Sequence, residues 1–204
     1  MNAESPAVGL KDLQKRLNFD GGYGIVFLAA CALLVLAELG GDWSRTHLAY
    51  DRGAIAAGQI WRLITAHFVH LDAEHTMLNG FGLVLMWALF AREYTFGRWM
   101  AIYLAAGLGI DVGLWFLTPD VSNYVGASGA QHGVMTAGTL AFLRRGDFIR
   151  WPLAAIIVAK LSYEQFAGAM PFSDSGTTVV DAHLYGAAGG IVLATFLRSR
   201  QQLR

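Results

Sequence analysis

The feature that most constrains this chain is a series of apolar stretches that recur along its whole length. They cover approximately 24–39, 75–90, 99–117, 128–143, 151–167 and 179–197. An apolar helix of roughly 20 residues crosses the hydrocarbon core of a bilayer, and a shorter one fits where the bilayer thins. Hydrophobic residues make up 55% of the 204 residues and charged residues only 15%, which disfavours a soluble domain. We therefore predict an all-α membrane protein, a bundle of six transmembrane helices.

The basic residues predict how the helices are oriented. An even number of spans puts both termini on one side, and most Lys and Arg residues fall in the loops and tails of that side. Because basic loops stay in the cytoplasm, we expect both termini there. The predicted parts are a cytoplasmic segment at 1–22, a membrane domain at 23–198 and a basic cytoplasmic tail at 199–204. The long segment 40–74 and two shorter loops would then face the outer side.

Composition gives no support to several other classes of protein. The formal net charge is zero and no basic run extends beyond Arg144-Arg145, so a nucleic-acid partner is not indicated. A single cysteine, Cys31, provides neither a disulfide framework nor a thiolate metal site. His67 and His70 form an HxxH pair, but no glutamate completes HExxH. We therefore expect no metal and no cofactor.

The sequence GASG, Gly126 to Gly129, leads from an outer loop into the fourth predicted helix. It places Ser128 at or near a helix N-terminus, where free N–H groups and the helix dipole can stabilise an oxyanion. Its glycines permit a tight turn and the close approach of a substrate backbone. Taken alone, GxSG fits a small-residue helix-packing motif equally well.

His183 lies at the outer end of the sixth predicted helix. It could simply be hydrogen-bonded within the bundle, but an ionisable residue in a span is a functional candidate by default. Gly186 and Gly190 lie four residues apart on the same helix. They would let this helix approach the fourth one closely enough for His183 to reach Ser128.

His75 and Asn79 open the second predicted helix, and their i, i+4 spacing puts both side chains on one face. Two donors at the outer end of a helix suit an oxyanion hole, although a pair of interhelical hydrogen bonds would explain them as well. The outer ends of the second, fourth and sixth helices therefore all carry polar groups. This coincidence predicts an active site at the outer face.

Together these motifs resemble the rhomboid intramembrane serine proteases. The matching motifs occur in family order: WR at Trp61-Arg62, HxxxxHxxxN at His70, His75 and Asn79, GxSG at Gly126–Gly129, and AHxxG at Ala182–Gly186. The resemblance implies that Ser128 and His183 form a catalytic dyad without a carboxylate. It also implies an oxyanion hole made by His75, Asn79 and the Ser128 N–H.

The resemblance extends to residues around the dyad. It implies that His70 supports the site and that Trp61-Arg62 shape the outer segment. Where many rhomboids place a Tyr that packs on the catalytic histidine, this chain has His132. The run GASGAQHG and the compact size are similar to the rhombosortase branch. That likeness implies substrates that end in a Gly-Gly motif, a membrane helix and a basic tail, processed on the periplasmic side of a bacterial inner membrane.

Further ionisable residues fall in the predicted spans, among them Glu38 near the outer end of the first one. Lys160 and Glu164 are spaced i, i+4 and are expected to pair with each other. Asp111 is expected to make a buried interhelical hydrogen bond. Asp181 lies two residues before His183, so it should point to a different face of the helix and support the helix start rather than the imidazole ring.

Two alternative functions come from other classes. A catalytically inactive rhomboid relative could act as a membrane chaperone or adaptor, although such relatives usually lack the Ser or the His. A small transporter would place its polar site near the midplane of the bilayer. Within the protease class, a general rhomboid protease with other substrates is the alternative to the rhombosortase.

Overall fold

Helices provide nearly all the regular structure in the part of the chain that is described. The computed structural model describes residues 21–146, 150–170 and 178–199. The elements in chain order are α1 (Gly21–Leu39), α2 (Gly41–Leu48), β1 (Tyr50–Asp51), α3 (Arg52–Ala56), α4 (Arg62–Thr65), α5 (Ala73–Phe90), α6 (Phe96–Phe116), β2 (Asn123–Tyr124), α7 (Ser128–Arg145), α8 (Arg150–Ala167) and α9 (Val180–Phe196). Nearly all of the predicted segment 1–22 and of the tail 199–204 lies outside the described residues.

Each of the six predicted apolar stretches forms a helix, which confirms that part of the prediction. The helices α1 and α5 to α9 begin and end within three residues of the predicted bounds. Their ends have local causes. The Asp72 carboxylate accepts a hydrogen bond from the His75 N–H at 2.8 Å and caps α5. Gly146, at φ +81°, takes the left-handed conformation that ends α7.

Two of the described helices are long and apolar enough to cross a membrane by length and composition, namely 22–39 within α1 and Phe96–Phe116, which is α6. A third, α9, is apolar but shorter. Large apolar side chains point outward, including Leu28 on α1 at 64% exposure and Phe166 on α8 at 92%. Such an outer surface suits a bilayer as solvent. The six-span topology itself stays a prediction.

The core of the bundle is formed by α6, α7 and α9. A Cβ added at Gly186 would overlap the carbonyl oxygen of Gly129, and one at Gly190 would overlap that of Gly133. The backbones of α7 and α9 therefore touch where the two glycines of α9 lie, as the sequence predicts. This close approach positions the first turns of the two helices side by side.

The segment 40–74 is more structured than the single outer loop that the sequence suggests, because it contains three short helices and a strand. The strand β1 pairs antiparallel with β2, with Tyr50 opposite Tyr124, and so joins this segment to the chain just before Ser128. The Arg62 guanidinium donates to the carbonyls of Ala49 at 2.7 Å and Thr46 at 2.8 Å. Arg62 thus holds the segment together, in agreement with the role that the resemblance implies.

Candidate active site

The turn that leads into α7 places Ser128 as the first residue of the helix. Gly126 has φ +124°, a left-handed conformation that favours glycine, and its N–H donates to the Ala66 carbonyl at 3.0 Å. The Tyr124 hydroxyl donates to the Gly126 carbonyl at 2.8 Å. The turn is therefore fixed from both sides. The first N–H groups of α7 have no partner within the helix and lie at its positive end.

Ser128 and His183 are in direct contact. The Ser128 Oγ lies 2.9 Å from the His183 Nε2. The serine is half-buried, whereas His183 is only 6% exposed, so the hydroxyl is reachable while the base is shielded from water. A hydroxyl in hydrogen-bond contact with an imidazole nitrogen is the arrangement that activates a serine nucleophile.

The other ring nitrogen of His183 faces a carboxylate for which the sequence predicts only an ion pair. The Nδ1 of His183 lies 3.0 Å from Oε2 of Glu164 on α8. The second carboxylate oxygen of Glu164, Oε1, accepts from the Lys160 ammonium at 2.5 Å. The expected Lys160–Glu164 pair is thus present. Glu164 also contacts His183, which the sequence did not predict, because a spacing along one helix says nothing about the neighbour that the helix faces.

His132 occupies one face of the His183 ring. The two imidazole rings stack with centroids 4.2 Å apart and an interplanar angle of 21°. The Nδ1 of His132 donates to the Ser128 carbonyl at 2.7 Å, which fixes the plane of its ring. His132 therefore packs on His183, the contact that the resemblance associates with a Tyr at this position.

His75 lies beside the nucleophile turn, and Asn79 follows it one helical turn further along α5. A Cβ added at Gly126 would lie 3.2 Å from Cε1 of the His75 ring. Asn79 is buried at 4% exposure, and its amide donates to the His75 carbonyl at 3.0 Å, while its own backbone carbonyl accepts from Gln131 of α7 at 2.8 Å. An amide nitrogen has a second hydrogen to donate. His75 therefore lies beside the nucleophile turn and Asn79 contacts α7, while their role as oxyanion donors stays a prediction.

His70 contacts the turn from the segment 40–74. Its Nε2 accepts from the Ala127 N–H at 3.4 Å, and its ring meets the His75 ring edge-on at 4.9 Å. Burial, together with the nearby His75, lowers the pKa of His70 to about 4. The ring is therefore neutral near pH 7 and keeps the lone pair that accepts from Ala127. The supporting position predicted for His70 agrees with this contact.

Asp111 and Asp181 occupy different surroundings. Asp111 of α6 faces His67 of the segment 40–74, with Oδ1 3.7 Å from Nε2, and not a second helix as expected. Asp181 lies in the first turn of α9, where the helix dipole stabilises a negative charge. Glu164, and not Asp181, is the carboxylate in contact with His183.

The close backbone contact at Gly186 leads to a stability prediction. Gly186→Ala should lower the free energy of unfolding by about 1–3 kcal/mol or more and reduce proteolysis, because the added methyl group pushes α9 away from α7. Thermal unfolding in detergent would measure the first effect. Gly97→Ala is the matched control, since a Cβ there meets nothing within 4 Å. Equal stability of the two variants would contradict the close packing of α7 and α9.

Comparison with known proteins places this geometry in a family. The Rhomboid domain family matches residues 57–200. Over 162 residues the chain is 28% identical to the rhomboid-type protein YdcA of Bacillus subtilis, covering 79% of each chain. It is 31% identical over 179 residues to the rhomboid protease GluP of Bacillus subtilis, covering 84% of this chain and 34% of GluP. RHOMBOID-like protein 6, mitochondrial, of Arabidopsis thaliana is 28% identical, covering 82% of this chain and 51% of that protein.

The Ser–His contact lies within a helical bundle, an arrangement that suits a serine hydrolase. The chain belongs to the rhomboid family. It is an intramembrane serine protease, a member of a family of membrane proteins that act on membrane-protein substrates within the bilayer.

Proposed function

We propose that this protein is an endopeptidase that cuts a single-span membrane protein near the outer membrane surface, with Ser128 as nucleophile and His183 as base. The observation that supports this proposal most strongly is the 2.9 Å contact between Ser128 Oγ and His183 Nε2 at the start of α7. It combines a reachable hydroxyl, a shielded base and free helix N–H groups at one point.

The reaction is acyl transfer. His183 Nε2 takes the Ser128 proton as the serine oxygen attacks the peptide carbonyl, and the N–H of Ser128 with His75 and Asn79 holds the oxyanion. His183 then gives the proton to the leaving nitrogen as the C–N bond breaks, which leaves an ester on Ser128. Water attacks that ester with His183 again as base, and the product is a carboxylic acid. An amine in place of water would give a new amide, a transfer product.

The site is proposed to face the periplasm from a bacterial inner membrane. The helix α7 begins at Ser128 and ends at Arg145, so its 18 residues put about 27 Å between the two ends. At the far end Arg144 donates to the carbonyls of Ala194 and Leu197, both at 2.8 Å. Because basic residues mark the cytoplasmic end, the catalytic end is the outer one and both termini are cytoplasmic.

The substrates are proposed to be those of a rhombosortase, with a small or Gly-rich segment just outside a C-terminal membrane helix and a basic tail. Such a protein, with its N-terminal domain outside, presents the entrance of its helix at the depth of Ser128. Glycine suits this position because it unwinds easily from a helix and can approach the turn at Gly126 closely. His132 beside the site makes the pocket more polar than a Tyr would, which favours a small residue over a large apolar one.

The position of the cut can be tested in cells. We expect a secreted substrate from wild-type cells to end within or beside the Gly-rich segment, and from Ser128→Ala cells to keep its membrane helix. Mass spectrometry of the C-terminal peptide measures this difference. An unchanged C-terminus in the Ser128→Ala strain, or a cut on the cytoplasmic side of the helix, would contradict the proposed substrate and orientation.

A further inference from the structure

Glu164 lies outside every sequence motif that the family resemblance uses, yet it contacts the proposed base. We propose that Glu164 is a positioning residue of the catalytic group, so that the site works as a Ser128–His183–Glu164 triad braced by Lys160. The inference rests on the proposed function of Ser128 and His183. It adds the carboxylate that orients the imidazole ring and stabilises it when it becomes charged.

Four side chains form a continuous series of polar contacts. Oε1 of Glu164 accepts from Lys160 at 2.5 Å, Oε2 lies 3.0 Å from His183 Nδ1, and His183 Nε2 lies 2.9 Å from Ser128 Oγ. The two carboxylate oxygens therefore have different partners, so the lysine does not compete with the histidine for one oxygen. Each partner restrains the carboxylate from its own side.

The burial of Glu164 distinguishes this carboxylate from most other side chains of α8. The side chains of α8 are mostly exposed, and its buried residues are Ile157 and Glu164. Glu164 is 2% exposed, whereas the Lys160 side chain is 29% exposed. A buried carboxylate is costly unless cations and donors surround it. A Lys160–Glu164 pair that only neutralised two charges could form at the exposed surface of α8. Here the Glu164 carboxylate instead points into the protein, toward His183.

The contact with Glu164 sets the protonation pattern that the chemistry needs. A carboxylate only accepts hydrogen bonds, so the Nδ1 of His183 must carry the hydrogen. The Nε2 then bears the lone pair, and it faces the Ser128 hydroxyl that it must deprotonate. When the ring takes up the serine proton, Glu164 offsets the new positive charge in a site shielded from water. Stacking by His132 fixes the plane of the ring, and Glu164 fixes which edge faces the serine.

Two competing roles for the cluster lead to different experimental results. In the first, Glu164 only pairs with Lys160 and stabilises the fold. In the second, His132, Glu164 and His183 hold a metal ion, since one donor atom from each lies within 4.8 Å of the others. A metal ion would take the lone pairs that the triad uses for hydrogen bonds. Variants and a chelator can separate both roles from that of a triad carboxylate.

The test compares Glu164→Gln, Glu164→Asp, Lys160→Met and the double variant Lys160→Met/Glu164→Gln in the full-length protein. We expect Glu164→Gln to lower kcat about 1,000- to 10,000-fold with KM nearly unchanged, the size of effect known for a triad carboxylate. Glu164→Asp should recover part of this loss, because it keeps the carboxylate. Lys160→Met should lose less than Glu164→Gln, because the contact with His183 remains.

The double variant separates catalysis from stability. Each single change leaves one charge without its partner, while the double variant removes both, so its melting temperature should return toward the wild-type value. Its kcat should nevertheless stay as low as that of Glu164→Gln. Glu93→Gln is the matched control, because Glu93 is also buried and pairs with Arg145 at 2.7 Å, at the other end of α7. It should lower stability and leave kcat unchanged.

The rate at which a fluorophosphonate labels Ser128 gives an independent measure and should fall in parallel with kcat. If Glu164→Gln is labelled as fast as the wild type, or the double variant recovers kcat, the triad is wrong and Glu164 is structural. If EDTA abolishes activity and Zn²⁺ restores it, the cluster is a metal site and the triad is equally wrong. If the wild type is not labelled at Ser128 at all, the proposed function itself fails, which is a separate outcome.

Discussion

Ser128→Ala and His183→Ala should each abolish peptide cleavage, and the double variant should be no slower than either single one. Ser128 Oγ and His183 Nε2 lie 2.9 Å apart and act as one unit, so removal of one partner already removes the function of the other. The expected loss in kcat is on the order of a million-fold, as for serine proteases that lose a member of the triad. Cleavage of a membrane-anchored substrate by the purified variants in liposomes measures it.

Loss of activity must be separated from loss of the fold. Ser122→Ala is the matched serine control, because Ser122 is exposed in the loop that precedes α7 and lies outside the site. It should cleave at the wild-type rate. Ser128→Ala should keep the wild-type melting temperature, since it removes a half-buried hydroxyl and no packing atoms. Cleavage by Ser128→Ala above the uncatalysed rate would mean that another group is the nucleophile.

His75→Ala and Asn79→Ala should each lower kcat by roughly 10- to 1,000-fold, with the upper value corresponding to the loss of a full oxyanion donor. The charge that these donors stabilise exists in the transition state and not in the bound substrate. The loss should therefore appear in kcat while KM changes little. Steady-state kinetics on a peptide that spans the cut measures both constants.

Met77→Ala is the control for these two variants, because Met77 lies between them on α5 and is 62% exposed. It should keep the wild-type kcat. If His75→Ala and Asn79→Ala also keep it, the two residues are structural, and their contacts with Gly126 and α7 are their whole role. A loss confined to KM would likewise place them in substrate binding rather than in the oxyanion hole.

The helices could be predicted from the sequence because each one is an uninterrupted apolar stretch with local signals at its ends. The segment 40–74 could not, since its elements are held by contacts with distant residues. Arg52 illustrates this, because its guanidinium donates to the carbonyls of Leu114 and Trp115 at the end of α6. The pairing of β1 with β2 involves two residues on each strand, too few for an alternation pattern to show.

Some residues of the site could be predicted from the sequence and others could not. Ser128 and His183 stand in motifs at helix ends, and the Gly186 and Gly190 spacing predicted the close approach of α9 to α7, which the structure confirms. The Glu164 contact depends on how α8 is rotated about its own axis, and spacing within α8 does not fix that rotation. One signal was available in the sequence. An ionisable pair near the outer end of a predicted span, the end that carries Ser128 and His183, is a functional candidate by default.

The central claim is that Ser128 is a nucleophile activated by His183, and covalent labelling tests it most directly. The full-length protein in detergent would be treated with a fluorophosphonate and digested, and the modified residue would be located by mass spectrometry. We predict a single adduct on Ser128 in the wild type, its absence in Ser128→Ala and a severe loss in His183→Ala. An adduct on another residue, or labelling of Ser128 that is unchanged in His183→Ala, would contradict the account.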